Sequence, residues 1–482
     1  MNSATKNNNT ITAAWQNTLA ARWGDPAIYS VDAGVLRTFA GIEAEAALIA
    51  ENLALFTPGD TIAIQIGNKP QWPALLLACL RAGLIVLPLG THIERPEFEL
   101  AVATCHIRGR IGLCGAKIEY DLLDSAGANR AAPFAPFAPF AWPEPRPAFL
   151  KLTSGTTAAP RAIRFRESQL VADCENICDT MGFGSGDINY GVIPFSHSYG
   201  FSNLITPLLC RGVPLVCSED RLPRAILHGL AASRATVFPG MPVFYQKLSE
   251  LEGDLPALPD LRLCVSAGAP LLAAVASAFT AKFRLKIHTF YGSSECGGIC
   301  YDASDTPDYE DGHVGHPMKN VAVNLENAGE PARIEVRSEA VGDGYFPGAD
   351  AAILGEGCFV PGDLIEKNSR GMRIAGRVTD IINVAGRKLN PLEVEARLLE
   401  FPGVKQAIVF GIPSALRHEE AIACIAGLAD PAPLMAHAHT VLSPWQVPKD
   451  IWLVDEIPSS DRGKISRRDL AKRYLARSAP PA

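Results

Sequence analysis

Apolar residues along this chain recur in two alternating rhythms. After the turn Pro58-Gly59-Asp60, the β-branched run Thr61–Ile66 predicts a buried strand. Leu75, Leu76, Cys79 and Leu80 then fall at helical spacing and predict a helix over Pro73–Ala82, and Leu84–Leu89 returns as an apolar strand. A helix between two such strands implies a parallel sheet covered on both faces. Glu167–Met181 predicts an amphipathic helix whose stripe is Leu170, Val171, Cys174, Ile177, Cys178 and Met181. Strands are expected again near Val213–Cys217 and Arg262–Ser266.

After Gly376 the pattern restarts on a smaller scale. Asn390-Pro391 reads as a helix start, with Asn as the cap and Pro at the first helical position, and that helix ends before Pro402-Gly403. Gln406–Phe410, Ala421–Ile425 and Ile451–Val454 read as strands around a helical stretch near Leu434–Leu442. The expected organisation is an α/β chain with a large domain over residues 1–376, a link at 377–380 and a small α/β domain over 381–482. Ala132–Pro147 (APFAPFAPFAWPEPRP) reads as an extended spacer, because its prolines remove backbone donors.

Composition narrows the class. The 482 residues suggest roughly three domain-sized units. Hydrophobic residues make up 48%, as in ordinary globular chains. The net charge of −7 disfavours a general nucleic-acid binder, though it leaves room for a local basic groove. MNSATKNNNT lacks the apolar core of a signal peptide. The apolar run Leu75–Leu89 is broken by Arg81 and contains Pro88, so no membrane span is expected. The 12 scattered cysteines read as reduced thiols of a cytoplasmic protein.

Lys151–Phe165 (KLTSGTTAAPRAIRF) places the hydroxyls of Thr153, Ser154, Thr156 and Thr157 around Gly155 on a turn after a strand. Backbone N–H groups and hydroxyls of this kind wrap phosphate oxygens. The Gly-Lys-Ser/Thr ending of the common nucleotide loop is absent. Further along stand Pro194–Gly200 (PFSHSYG), Ser266–Leu271 (SAGAPL), Phe290–Gly298 (FYGSSECGG), Phe359–Ile365 (FVPGDLI), Gly376–Glu395 (GRVTDIINVAGRKLNPLEVE) and Ser459–Arg468 (SSDRGKISRR). In order and spacing these segments resemble the core motifs of the adenylate-forming superfamily, which includes acyl- and aryl-CoA synthetases, amino-acid adenylation domains and luciferases.

The resemblance implies a large N-terminal domain of packed sheets and helices and a small mobile C-terminal domain. It implies that ATP and a carboxylic acid give acyl-AMP and pyrophosphate, after which a thiol takes the acyl group. Thr153, Ser154, Gly155, Thr156, Thr157 and Arg161 would then hold phosphates, and Gly268, Ala269 and Pro270 would approach the adenine edge. Tyr291 would stack on adenine within the segment Gly292, Ser293 and Ser294, and Glu295 would hold Mg²⁺, a hard cation suited to a carboxylate. Asp363 would accept from the ribose hydroxyls and Arg377 would donate to the same ribose. Lys464, on a glycine-containing turn, would reach the attacking carboxylate and the α-phosphate together, where charge builds up in the transition state. Lys388 falls where a basic residue lies near the phosphates, and Thr379 stands at the hinge. His197 would be catalytic, and Phe195, Tyr199, Phe201, Phe238, Met241 and Ile299 fall on segments that line the acid pocket.

Two departures from the pattern are present. Ala158 and Ala162 replace glycines of the phosphate loop, which restricts its backbone, and Thr379 replaces the usual charged hinge residue. Phe195-Ser196-His197 offers no carboxylate for a substrate amine, which argues against an α-amino acid. Cys296, Cys300, His313 and His316 have a loosely zinc-like spacing, but two residues between the histidines is too few for the usual site. The expected function is therefore ligation of an acyl or aryl acid to CoA. The alternatives are loading of a carrier-protein phosphopantetheine and a non-catalytic ATP-binding role.

Overall fold

The computed structural model describes residues 9–123, 140–153, 161–325, 330–414, 417–458 and 465–477. They divide into two compact units, one drawn from Met1–Asn324 and Glu335–Pro361, the other from Leu325–Ile334 and Gly362–Ala482. No helix among the described residues is long and apolar enough to cross a membrane.

The first unit is built on two mixed sheets. One runs in the order Val35–Thr38, Pro26–Tyr29, Leu215–Cys217, Asn189–Gly191, Val237–Gly240, Leu263–Ser266, Ile287–Ser293, Gly297–Tyr301, His313–Pro317. Its inner pairs are parallel, and antiparallel pairs flank them. The other runs Gly344–Phe346, Ala162–Phe165, Phe149–Leu152, Ile85–Pro88, Thr61–Ile64, Ile107–Cys114, Lys117–Leu122. Thr61–Ile64 and Ile85–Pro88 are buried along their whole length, which is why they read as continuous apolar runs. The helix expected between them is Trp72–Arg81.

The helix Glu167–Met181 has the bounds its apolar stripe predicts. Its start is tied by the Arg166 N–H donating to Gln169 Oε1 at 2.8 Å, and Gly182 ends it at φ 68°. A π-helical turn over Phe201–Ile205, in which the Thr206 N–H reaches Phe201 O, was not visible as a 3.6-residue period. The spacer reading of Ala132–Pro147 needs correction at its described end. Phe140 stacks on His106 with centroids 3.6 Å apart, and Trp142 is buried 4.7 Å from Phe346. The proline rhythm masked one buried aromatic, Trp142, and a half-buried one, Phe140, packed against the same core. Residues 124–139 lie outside the described residues.

In the second unit, Arg387–Leu389, Ile382–Val384, His418–Gly427 and Val404–Ser414 form a sheet in that order, and Asp450–Val454 pairs parallel to His418–Gly427. The two long strands send alternate residues to two cores, as a period of two requires. Ala407, Val409, Ala421, Ala423 and Ile425 join Val394, Leu398 and Leu434, from the helices Pro391–Leu399 and Pro431–Val441. Phe410, Ile412, Ile422 and Cys424 meet Leu470 of the helix Arg467–Arg477. Asn390 caps its helix as expected, its side chain accepting from the Leu392 N–H at 3.2 Å.

The boundary between compact units precedes the one expected at Arg377–Asp380, because the hairpin Asp363–Asn368/Gly371–Arg377 belongs with the second unit. Asn390 Nδ2 donates to Ala375 O, so the cap of the helix Pro391–Leu399 also holds the hairpin.

The start of the last helix is fixed by a buried charge cluster. Arg467 donates through Nη1 and Nη2 to both Glu395 oxygens, through Nε to Asp380 Oδ2 at 3.1 Å, and through Nη1 to Val409 O at 3.0 Å. Glu395 also accepts from the Val409 N–H at 2.6 Å. Burial pushes the Glu395 carboxyl upward and Arg467 opposes that shift. Removing the guanidinium leaves a buried carboxylate with no counter-charge, a loss of about 3–5 kcal/mol. Arg467→Met is expected to lower the urea midpoint of the full chain accordingly, and Arg467→Lys to recover only part of it, because an ammonium cannot span three acceptors as the planar fork does. An unchanged midpoint in Arg467→Met would show that the cluster does not stabilise the fold.

Candidate active site

The strands Phe149–Leu152 and Ala162–Phe165 are antiparallel, and Thr153 and Arg161 close the base of the loop between them. The Thr153 N–H donates to Arg161 O at 2.9 Å, and the Arg161 N–H donates to Thr153 Oγ1 at 3.1 Å. Ser154, Gly155, Thr156 and Thr157, expected on this loop, lie outside the described residues. Lys151, on the incoming strand, is buried with its ammonium 4.5 Å from the Phe165 ring centroid. Burial pushes that ammonium downward, and Asp173 and Glu295 pull against it.

Tyr291, Gly292 and Ser293 end the strand Ile287–Ser293, which turns through Ser294 and Glu295 into Gly297–Tyr301. Tyr291 is buried and faces Cys300 across the pair. Ser293 Oγ donates to Glu295 Oε2, and the Tyr345 hydroxyl donates to Oε1 at 3.0 Å. The Gly342 N–H holds the Glu295 carbonyl at 2.9 Å. Burial and the neighbouring Glu295 charge push the Tyr345 phenol up, so it is a proton donor at neutral pH.

The turn after Glu295 rests on Asp173. This carboxylate, from the helix Glu167–Met181, accepts from the Gly298 N–H at 2.9 Å and from Ser202 Oγ at 2.6 Å. Gly297 stands at φ 70°, and a Cβ there would lie 1.9 Å from Asp173 Oδ1, so only glycine fits. Burial pushes Asp173 upward, opposed first by Lys151.

His197 caps the short helix Ser198–Gly200, its Nδ1 accepting from the Tyr199 N–H at 3.2 Å. That bond leaves the proton of the neutral ring on Nε2. Ser198 Oγ donates to Ser294 Oγ at 2.9 Å, which joins the His197 and Glu295 segments. The backbone of Phe195 is set by Asn68, whose Oδ1 accepts from the Phe195 N–H at 2.9 Å while its amide donates to Gly191 O and Ile193 O, each at 2.9 Å.

The residues expected to line an acid pocket divide by exposure. Met241 is half-buried, whereas Phe195, Tyr199, Phe201, Phe238 and Ile299 are buried. Phe195 and Phe201 pack against Trp72 with centroids 6.5 and 5.9 Å away, and Phe238 packs against Tyr245 at 5.2 Å. Tyr199 donates its hydroxyl to Val265 O at 2.9 Å. Gly268, Ala269 and Pro270 are exposed after the strand Leu263–Ser266, and nothing lies within 4 Å of where a Gly268 Cβ would stand.

In the second unit, Asp363 and Arg377 face each other across one hairpin, and Arg377 Nε donates to Asp363 Oδ1 at 2.6 Å. Thr379 is exposed on the single 3₁₀ turn Val378–Asp380 and donates to Asp380 Oδ1 at 3.2 Å. Lys388 is exposed and faces Asn383 across a hairpin. Lys464 lies outside the described residues. The structure thus joins the His197 segment to Ser293, Ser294 and Glu295 by hydrogen bonds in the first unit, places Arg161 of the loop base over the ring of Tyr345, which bonds Glu295, and brings Asp363 and Arg377 into one pair of the second.

The donors at Glu295 are its carboxylate and the hydroxyls of Ser293 and Ser294, all oxygen, which suits a hard cation. No three His, Cys, Asp or Glu side chains gather as a metal site among the described residues, so a cation at Glu295 would complete its shell with phosphate oxygens and water. Cys296 and Cys300 are buried nearby in sequence, and burial pushes both thiols up, Cys300 to about 12.

Reading of the sequence missed Asn68, Lys151, Asp173 and Tyr345. Lys151 interrupts an apolar strand and Asp173 adjoins a stripe residue, so each carried a faint signal. Asn68 and Tyr345 carried none, because their partners are remote in sequence.

Among relatives, a sulfoacetate–CoA ligase of Cupriavidus necator is 27% identical over 94% of this chain and 95% of its own. A feruloyl-CoA synthase of an Amycolatopsis species is 26% identical over 92% of this chain and 94% of its own. ATP-bound MatB from Rhodopseudomonas palustris shares the fold, with a TM-score of 0.84 at 24% identity over 97% of this chain and 99% of that one. The profile of the AMP-binding enzyme C-terminal domain matches residues 393–464, on the smaller unit. The AMP-binding enzyme profile itself covers residues 15–346, taking in the loop base at Thr153 and Arg161, the His197 segment and the Glu295 turn, and the chain belongs to that family.

Proposed function

We propose that this chain activates a carboxylic acid with ATP and passes the acyl group to the thiol of CoA. The observation that carries this reading is that relatives named for CoA thioester formation match it over more than nine-tenths of both chains. In the first step a carboxylate oxygen bonds to the α-phosphorus while the bond to the β-phosphate oxygen breaks, giving acyl-AMP and pyrophosphate. In the second the CoA thiol gives up its proton to solvent, its sulfur bonds to the acyl carbon, and the bond from that carbon to the phosphate oxygen breaks, releasing AMP.

The loop from Thr153 to Arg161 would hold the β- and γ-phosphates, with hydroxyls and N–H groups donating and the Arg161 charge balancing theirs. The closed base at Thr153 and Arg161 supports this, because it holds the two ends of the segment side by side. Glu295, with both oxygens already oriented by Ser293 and Tyr345, would bind Mg²⁺. When bound, that ion neutralises charge on the phosphates. Asp363 and Arg377 would take the ribose, and Gly268, Ala269, Pro270 and Tyr291 the adenine. Lys388 would approach the phosphates, and Lys464 would meet the charge that develops at the α-phosphate. His197 would meet the reacting end of the acid through Nε2–H. An acyl or aryl acid without an α-amine suits the segment Phe195-Ser196-His197, which supplies no carboxylate to an ammonium. Free CoA is preferred here over a carrier protein because both relatives are named for CoA.

A screen of acids for pyrophosphate release, with CoA and with phosphopantetheinylated carrier proteins as acceptors, is expected to yield pyrophosphate with at least one apolar or aromatic acid and the thioester on free CoA. A thioester found only on the carrier would overturn the acceptor, and no pyrophosphate with any acid would overturn the activity. Lys464→Ala is expected to slow acyl-AMP formation by about a hundredfold or more while sparing thioester formation from supplied acyl-AMP. Equal loss in both half-reactions would remove Lys464 from the role. If the link at Thr379 is the pivot, Thr379→Pro, which fixes φ near −65°, is expected to slow mainly the second half-reaction. Wild-type thioester rates in that variant would place the pivot elsewhere.

A further inference from the structure

Tyr345 belongs to none of the segments that suggested the function, yet it touches two of them. It lies on Gly344–Phe346, antiparallel to Ala162–Phe165, directly opposite Ile163. The strand is held firmly. Asp343 receives a two-pronged bond from Arg166, Nε at 2.9 Å and Nη2 at 2.8 Å, and a third from Gln169 Nε2 at 2.9 Å. Gln169 Nε2 also reaches Val341 O at 2.7 Å. With its backbone pinned and the residue only 6% exposed, Tyr345 has little freedom.

Its two ends do different things. The hydroxyl donates to Glu295 Oε1 at 3.0 Å, and the Arg161 guanidinium lies over the ring, 3.9 Å from its centroid. A carboxylate has about four lone-pair directions. Ser293 uses one on Oε2 and Tyr345 one on Oε1, so the carboxylate is turned without being used up. A guanidinium over a phenol face is attracted by the ring quadrupole, and its N–H edges stay free to donate in the plane.

We infer that Tyr345 is a positioning residue that holds Glu295 with its hydroxyl and Arg161 with its ring, so that the carboxylate and the phosphate-loop cation share one fixed geometry before ATP arrives. The inference rests on the proposed function. Because the contacts are on opposite parts of one side chain, they can be separated by substitution: Tyr345→Phe keeps the ring and loses the hydroxyl, and Tyr345→Leu loses both.

The full-length chain is titrated calorimetrically with ATP in EDTA and with ATP at a series of Mg²⁺ concentrations, alongside pyrophosphate release and thermal unfolding. Tyr345→Phe is expected to raise the half-saturating Mg²⁺ concentration about tenfold or more, the scale of one lost bond to a charged acceptor, and to leave ATP affinity in EDTA unchanged. Tyr345→Leu is expected to weaken ATP binding in EDTA as well. Arg161→Lys, which keeps the charge but loses the planar stack, is expected to weaken ATP binding in EDTA several-fold without moving the Mg²⁺ dependence, and it keeps the inference open to refutation if the tyrosine variants fold poorly. A wild-type Mg²⁺ dependence in Tyr345→Phe, equal loss of ATP affinity with and without Mg²⁺ in that variant, or an Arg161→Lys chain that binds ATP as the wild type does, would overturn it. Failure of the underlying function reads differently, as a wild-type chain that neither binds ATP nor releases pyrophosphate.

Discussion

The Asp173 carboxylate sits where water does not reach, and it is the constraint on which the site of the first unit depends. A helix side chain reaches into the sheet to take the Gly298 N–H and the Ser202 hydroxyl, so the segments that follow His197 and Glu295 share one acceptor. Each bond to a charged acceptor contributes about 1.5–3 kcal/mol. A third partner is electrostatic: the buried Lys151 ammonium and Asp173 each offset part of the other's desolvation. Lys151 lies two residues before Thr153, where the loop base closes. One carboxylate thus steadies three motif segments, and Gly297 is the residue that lets the backbone come close enough.

The second unit obtains order by a different route. Its two long strands carry apolar residues on both faces, with Val409 turned to one core and Phe410 to the other. Apolar residues on both faces give little polarity to fix register. Directional bonds supply it instead, since the Val409 N–H reaches Glu395 and the Val409 carbonyl accepts from Arg467. Arg467 also bonds Asp380, at the end of the 3₁₀ turn, so the start of the last helix and the link at 377–380 are fixed by one guanidinium.

Where a pattern was local, the sequence was legible. Glu167–Met181 keeps one stripe across four turns, and its ends coincide with the structure. Asn390-Pro391 starts its helix because capping is decided within three residues. Asp363 and Arg377 face each other across a hairpin, and their assignment to one ribose, made from motifs, stays a proposal. What depends on distant partners was not legible. Tyr345 meets Glu295 across fifty residues of chain, and Asn68 meets Phe195 from an element with no motif. Resemblance places Phe195 and Phe201 on segments that line the acid pocket, and their packing on Trp72 and Phe149 was not legible from those motifs. The contact that ties the hairpin ending at Arg377 to the second unit was not legible either: Asn390 binds Ala375 by a side-chain bond that no composition shift records.

The buried thiols have a consequence for an enzyme that handles an activated acyl group. A mixed anhydride is attacked by any accessible thiolate, including those of the protein that makes it. Cys296, directly after Glu295, is fully buried and its thiol is pushed well above the ordinary range, and Cys264 and Cys300 are buried and pushed up in the same way. Held protonated and shielded from solvent, these sulfurs are poor competitors for the acceptor thiol. Burial removes these three sulfurs from that competition, while Cys114 stays exposed.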